Sequence, residues 1–124
     1  ISKMFEDKGE DFFRKVEEKV TLKNLKLHSS VISLGGGAFM NENIRKEVLK
    51  SHISFWLNWN DNILLGRIKN SKKRPVVINS SDDQIIDLIQ ERSTVYAKAL
   101  FEIKCDNLTK NEVVNKIIKI YESN

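Results

Sequence analysis

Apolar positions along the chain follow two different periods, and the boundaries between them mark the elements. From Glu10 to Lys19 the pattern is helical, with Phe13, Val16 and the following Val20 at i, i+3 and i+7, and Arg14 and Glu17 three apart as surface neighbours. Ser30 to Leu34 is instead a short apolar run that ends in Gly35, Gly36 and Gly37, which predicts a buried strand feeding a glycine loop. Asn41 to Lys50 predicts a helix, His52 to Leu57 a second strand, and Asp61 to Ile68 a helix carrying Ile63, Leu64, Arg67 and Ile68. Ser80 or Ser81 is placed to cap a helix through Tyr96, with Ile85, Ile86, Leu88 and Ile89 as its apolar face and Arg92 in its third turn. Leu100 to Cys105 is a third strand, and Thr109 with Glu112 forms a capping box that opens a last helix through Tyr121. Strands that alternate with helices predict an α/β fold with a mostly parallel sheet flanked by helices. Ligands in such sheets bind at the carboxyl ends of strands, where Gly35–Gly37 would lie.

Composition narrows this picture. The 124 residues fit one domain, and 40% apolar with 31% charged residues excludes a disordered tail or a fibrous repeat. No apolar run approaches the roughly 20 residues of a membrane-spanning helix, so a cytoplasmic setting is expected. The single cysteine, Cys105, permits no internal disulfide, and with His28 and His52 it makes a poor metal cage. Net charge is +4, and segment 69–74 alone holds four cations, Lys69, Lys72, Lys73 and Arg74, with no anion. The excess therefore sits in one loop ending at Pro75, the only proline, and such a loop suits an anion such as a phosphate. One basic loop is not the extended stripe of a nucleic-acid binder, so no nucleic-acid partner is expected.

Five elements in fixed order carry a more specific signal: Gly9, Glu10, Phe13, Arg14 and Glu17; Ser33 through Ala38 with its three glycines; Arg67; Lys73, Arg74 and Pro75; and Arg92 with Tyr96. In this order and spacing the chain resembles the shikimate kinases from end to end. The resemblance implies a nucleoside monophosphate kinase-like P-loop fold. It also implies transfer of the γ-phosphoryl group of ATP to the 3-hydroxyl of shikimate, a step toward aromatic amino acids. It further implies Mg2+ beside the nucleotide, and a monomer.

Residue by residue, the resemblance assigns Arg14 and Arg92 to the shikimate carboxylate, which guanidinium groups bind by paired, charge-assisted hydrogen bonds. Glu17 would fix the Arg14 guanidinium, and Gly36 and Gly37 would let backbone N–H groups approach shikimate and the transferred phosphate. Phe13 and Pro75, with Ile1, Phe5 and Val76, match the apolar wall of the pocket. Arg74 matches the lid arginine over the phosphates and is expected to be catalytic, because phosphoryl transfer rests on positioning and charge neutralisation. Arg67 matches an arginine that stacks on adenine, Lys110 is the basic residue available before the last helix, and Ser33 stands where a water-mediated magnesium contact is expected. The shikimate-binding region is expected at about residues 1–28 and the lid at about residues 69–82.

No G-x-x-x-x-G-K-[ST] phosphate loop occurs in the sequence. The first strand-loop-helix unit of the family and its aspartate beside the attacking hydroxyl are thus expected to lie upstream, with this chain alone inactive. In the family strand order 2-3-1-4-5, the absent first strand would separate the run at Ser30–Leu34 from that at His52–Leu57. The alternative expectation is a non-catalytic module that binds shikimate-like carboxylates.

Overall fold

The computed structural model describes residues 2–71, 77 and 79–124. Its elements are α1 (Ser2–Asn24), a 3-10 turn (Ala38–Met40), α2 (Glu42–Ser51), β1 (Phe55–Asn58), α3 (Asp61–Asn70), α4 (Asp82–Tyr96), β2 (Phe101–Lys104) and α5 (Lys110–Glu122). The first helix is longer than its apolar period suggests, and it is two helical parts joined at Gly9, whose φ of 83° lies where other residues are strained. Side-chain caps explain where the later helices start. The Asn41 side chain accepts from the Ile44 N–H at 3.0 Å, and Ser81 with Gln84 and Thr109 with Glu112 close reciprocal capping boxes at α4 and α5. The hydrogen bonds that Glu112 makes with Thr109 also hold its carboxyl below the usual carboxylate range.

The described strands form one parallel pair, with Phe55 opposite Phe101 and Asn58 opposite Lys104, and the two phenylalanine rings stack at 5.6 Å. The second strand begins later than the apolar run, because His52 caps the end of α2: its N–H bonds the Val48 carbonyl at 3.0 Å. The strand expected at Ser30–Leu34 does not form. This segment has no regular secondary structure and is unpaired among the described residues, and Val31 stands 101% exposed. A strand is defined by its ladder, and among the described residues the only ladder is the one between β1 and β2.

Two apolar clusters hold the layers together. Leu25, Ala38, Phe39, Ile44 and Val48 pack α1, the 3-10 turn and α2 with Ile32, Leu34, Val95 and Tyr96 against them. Ile103, Cys105 and Val113 form the second, where Phe55, Trp59 and Ile117 join β2 to α5. Cys105 is 0% exposed, and burial raises its thiol pKa, which keeps it protonated and inert. Among the described residues no helix is long and apolar enough to cross a membrane.

Candidate active site

The glycine loop sits between α1 and α4, and each helix grips it through one side chain. From α4, the Tyr96 hydroxyl donates to the Gly36 carbonyl. From α1, Arg14 lies so close to Gly37 that a Cβ there would fall 2.7 Å from the guanidinium carbon, nearer than side chains pack. Any side chain at residue 37 would have to displace the guanidinium from this position. A Cβ at Gly35, by contrast, would meet only Glu17 Oε2 at an ordinary 3.6 Å.

Arg14 is bracketed by two carboxylates on its own helix. Nη1 donates to Glu17 Oε1 at 2.9 Å, while Nε and Nη2 both donate to Glu10 Oε2 at 3.3 Å. Glu17 comes from i+3 and Glu10 from i−4, so helical geometry alone brings both within reach. Buried Phe13 supports the group from below, with its ring centre 5.1 Å from the guanidinium carbon and 5.0 Å from the ring of Phe5. Arg92 lies one turn before Tyr96 on α4 and is half-buried, with no hydrogen bond or ion pair among the described residues. The helix spacing gives Arg92 and Tyr96 one face of α4, the face that Tyr96 turns to the glycine loop.

The second set of expected residues lies at the carboxyl ends of β1 and β2. Arg67 on α3 is exposed and stacks over Trp59, its guanidinium carbon 4.7 Å from the ring centre. Trp59 packs on the second apolar cluster and carries the Arg67 guanidinium on its ring. Beside it opens a cleft of about 690 Å³ lined by Asn58, Trp59, Asp61, Ile86, Lys104 and Asp106. There the Asn60 N–H donates to Asp106 Oδ1 at 2.5 Å, tying the β1–α3 corner to the loop after β2. Lys110 is the exposed first residue of α5. An ion pair between Lys69 and Asp82 at 3.0 Å links the last turn of α3 to the first turn of α4, at the two ends of the expected lid. Arg74 and Pro75, with Lys72, Lys73 and Val76, lie outside the described residues, as does Ile1.

Ser33 is exposed on the unpaired segment and lines a groove of about 420 Å³ along α1, together with Glu17 and Ser30. Among the described residues no group of three or more His, Cys, Asp or Glu side chains converges to hold a metal ion. A single hydroxyl does not make a magnesium site, so these residues do not by themselves fit that ion.

Two contacts carry no role in the sequence reading: Glu10 as second partner of Arg14, and Tyr96 as the clamp on Gly36. The i, i+4 spacing of Glu10 and Arg14 is the signal for the first. Nothing local signals the second, which joins residues 60 positions apart.

A parallel sheet flanked by helices, with a glycine loop gripped by α1 and α4, defines the class: an α/β kinase of the nucleoside monophosphate kinase-like fold. The shikimate kinase family profile matches residues 1–122. Similar curated proteins include the shikimate kinase of Thermodesulfovibrio yellowstonii, 34% identical over 98% of this chain and 71% of that protein. The shikimate kinase of Bartonella henselae is 32% identical over 96% of this chain and 57% of that protein. The solved shikimate kinase of Aquifex aeolicus superposes with a TM-score of 0.83 at 32% identity, covering 97% of this chain and 70% of that one. The chain belongs to the shikimate kinase family. It spans 57% of the Bartonella protein's length and 71% of the Thermodesulfovibrio protein's.

Proposed function

We propose that this protein transfers the γ-phosphoryl group of ATP to the 3-hydroxyl of shikimate. The observation that carries the reading is the Arg14 guanidinium, fixed by Glu17 at 2.9 Å against Gly37, where a substrate carboxylate can take paired hydrogen bonds. Arg92, half-buried on the same side of α4 as Tyr96, supplies the second guanidinium. Phe13 and Pro75 wall the ring of the substrate, and Gly36 and Gly37 leave its phosphate-accepting side open to backbone N–H groups. For the nucleotide, Trp59 backs one face of the Arg67 guanidinium and the opposite face takes adenine, with Lys110 at the rim. Arg74 neutralises the charge that grows on the transferred phosphoryl oxygens, and closure of the lid excludes water. Magnesium would travel with ATP. Ser33 is the residue here that would reach it through water. The reading carries with it a cytoplasmic, monomeric enzyme, which fractionation and sedimentation can check.

The test is a coupled assay of ADP release with the intact protein. Shikimate-dependent turnover is expected, and Arg14→Ala or Arg92→Ala should weaken shikimate binding far more than ATP binding. Equal loss for both ligands would overturn the assigned roles, and absence of shikimate-dependent turnover would overturn the reaction.

A further inference from the structure

The two carboxylates on Arg14 are unequal. Glu17 makes a short bond, 2.9 Å, and its side chain is 13% exposed, whereas Glu10 sits at 3.3 Å with 53% of its side chain in solvent. They also engage different edges of the guanidinium. Glu17 holds Nη1. Glu10 holds Nε and Nη2, the edge that grips a carboxylate by two parallel bonds when each oxygen takes one. Glu10 satisfies both donors with a single oxygen, which is the weaker use of that edge. Gly37 lies against the guanidinium and Phe13 supports it, while the half-buried Glu17 occupies the inner edge, so a ligand arriving from solvent meets the edge that Glu10 covers.

We propose that Glu10 is a built-in stand-in for the substrate carboxylate, which displaces it from the Nε/Nη2 edge of Arg14 on binding while Glu17 stays. The proposal rests on the reading of the ligand as shikimate. Its physical content is an exchange of one carboxylate for another. The incoming group replaces two bonds to one oxygen by two bonds to two oxygens, and Glu10 swings into water at little desolvation cost. Glu10 therefore sets specificity: an anion that offers one acceptor gains nothing over it, and a planar carboxylate does. It also keeps the guanidinium paired before substrate arrives, so that Arg14 is not left with bare donors against Phe13 and Gly37.

Calorimetric titration of the intact protein with shikimate and with its methyl ester tests this. Glu10→Gln should tighten shikimate about two- to fivefold, the span expected when an exposed ion pair no longer competes. It should leave the ester, which lacks the charged fork acceptor, unchanged. Asp11→Asn removes an exposed neighbouring charge that is not on Arg14, and it should change shikimate affinity much less. Weaker shikimate binding in the Glu10→Gln protein would mean that Glu10 assists binding and would overturn the proposal, as would an equal gain for the ester or from Asp11→Asn. If neither form binds shikimate, the ligand reading fails separately, and acetate then reports on Glu10 alone. In NMR titration the Arg14 Nε–H resonance should shift at lower acetate in the Glu10→Gln protein, and identical midpoints would overturn the exchange.

Discussion

Arg14 and Arg67 carry the same group, and the protein holds them differently. Around Arg14 three elements distant in sequence converge: α1 supplies Glu10, Glu17 and Phe13, the glycine loop supplies Gly37, and α4 clamps that loop through Tyr96. Around Arg67 the partner is Trp59, eight positions earlier, and the arginine itself is exposed. The first guanidinium is held in place before any ligand binds, and the second rests on a ring that it can leave. The contrast suggests how a kinase divides its labour. Under the proposed reaction the small acid must be oriented for in-line attack, which needs a rigid pocket, whereas the adenine end needs only a surface to lie on.

The largest expected effect breaks the rigid side alone. Gly37→Ala forces a Cβ against the Arg14 guanidinium, and a displacement near 1 Å should cost on the order of 100-fold in kcat/KM for shikimate, with weaker shikimate binding. ATP affinity should hold within about twofold, since this change leaves the β1–α3 end untouched. Equal affinity of wild type and variant for shikimate would show that Arg14 moves freely. Next, Tyr96→Phe removes the clamp on Gly36, and about 1 kcal/mol of stability should go with it, read from denaturant midpoints at constant slope. A several-fold rise in the shikimate KM with an unaltered ATP KM should accompany it. On the other side, Trp59→Ala should weaken ATP by about 0.5–1 kcal/mol, with shikimate unaffected; the reverse pattern would exchange the roles of the two regions. The smallest effect is expected at Gly35→Ala, where the added methyl makes only an ordinary contact with Glu17 and stability should move by no more than about 0.5 kcal/mol. Gly35 and Gly37 together make the sharpest internal control: two glycines, two residues apart, with opposite tolerance.

How much of this was legible in the sequence follows from the range of each interaction. The helices and their caps are local, so Ser81, Thr109 and Glu112 could be read from spacing, as could the Arg14–Glu17 pair. The Ser30–Leu34 strand was misjudged because apolar character and a following glycine loop describe a segment ready to pair, and pairing depends on a neighbour. Gly9 in the motif gave no hint that α1 bends there, since a helix-interior glycine and a helix joint look alike in sequence. The site divides along the same line. Arg14 and Glu17 were identifiable, and the fit of Gly37 to Arg14 needed coordinates, because two segments more than twenty residues apart must meet before a missing methyl matters. The motif order assigned Arg67 to adenine, and its rest on Trp59 could not be read from a tryptophan that equally suits a core.

Gly9 has one more consequence, and it is stereochemical. Its backbone sits at φ 83°, ψ 170°, and a Cβ added there would meet nothing within 4 Å. Room is available, and handedness is the obstacle: an L-residue is strained in this basin, while a D-residue occupies the mirror image of ordinary extended backbone. The joint in α1 is thus a position where the chain discriminates between enantiomers without any binding pocket. A D-alanine installed by peptide ligation sits in its own preferred conformation, and a D-cysteine there offers a chemical handle one residue from Glu10 that leaves the fold's own stereochemistry intact.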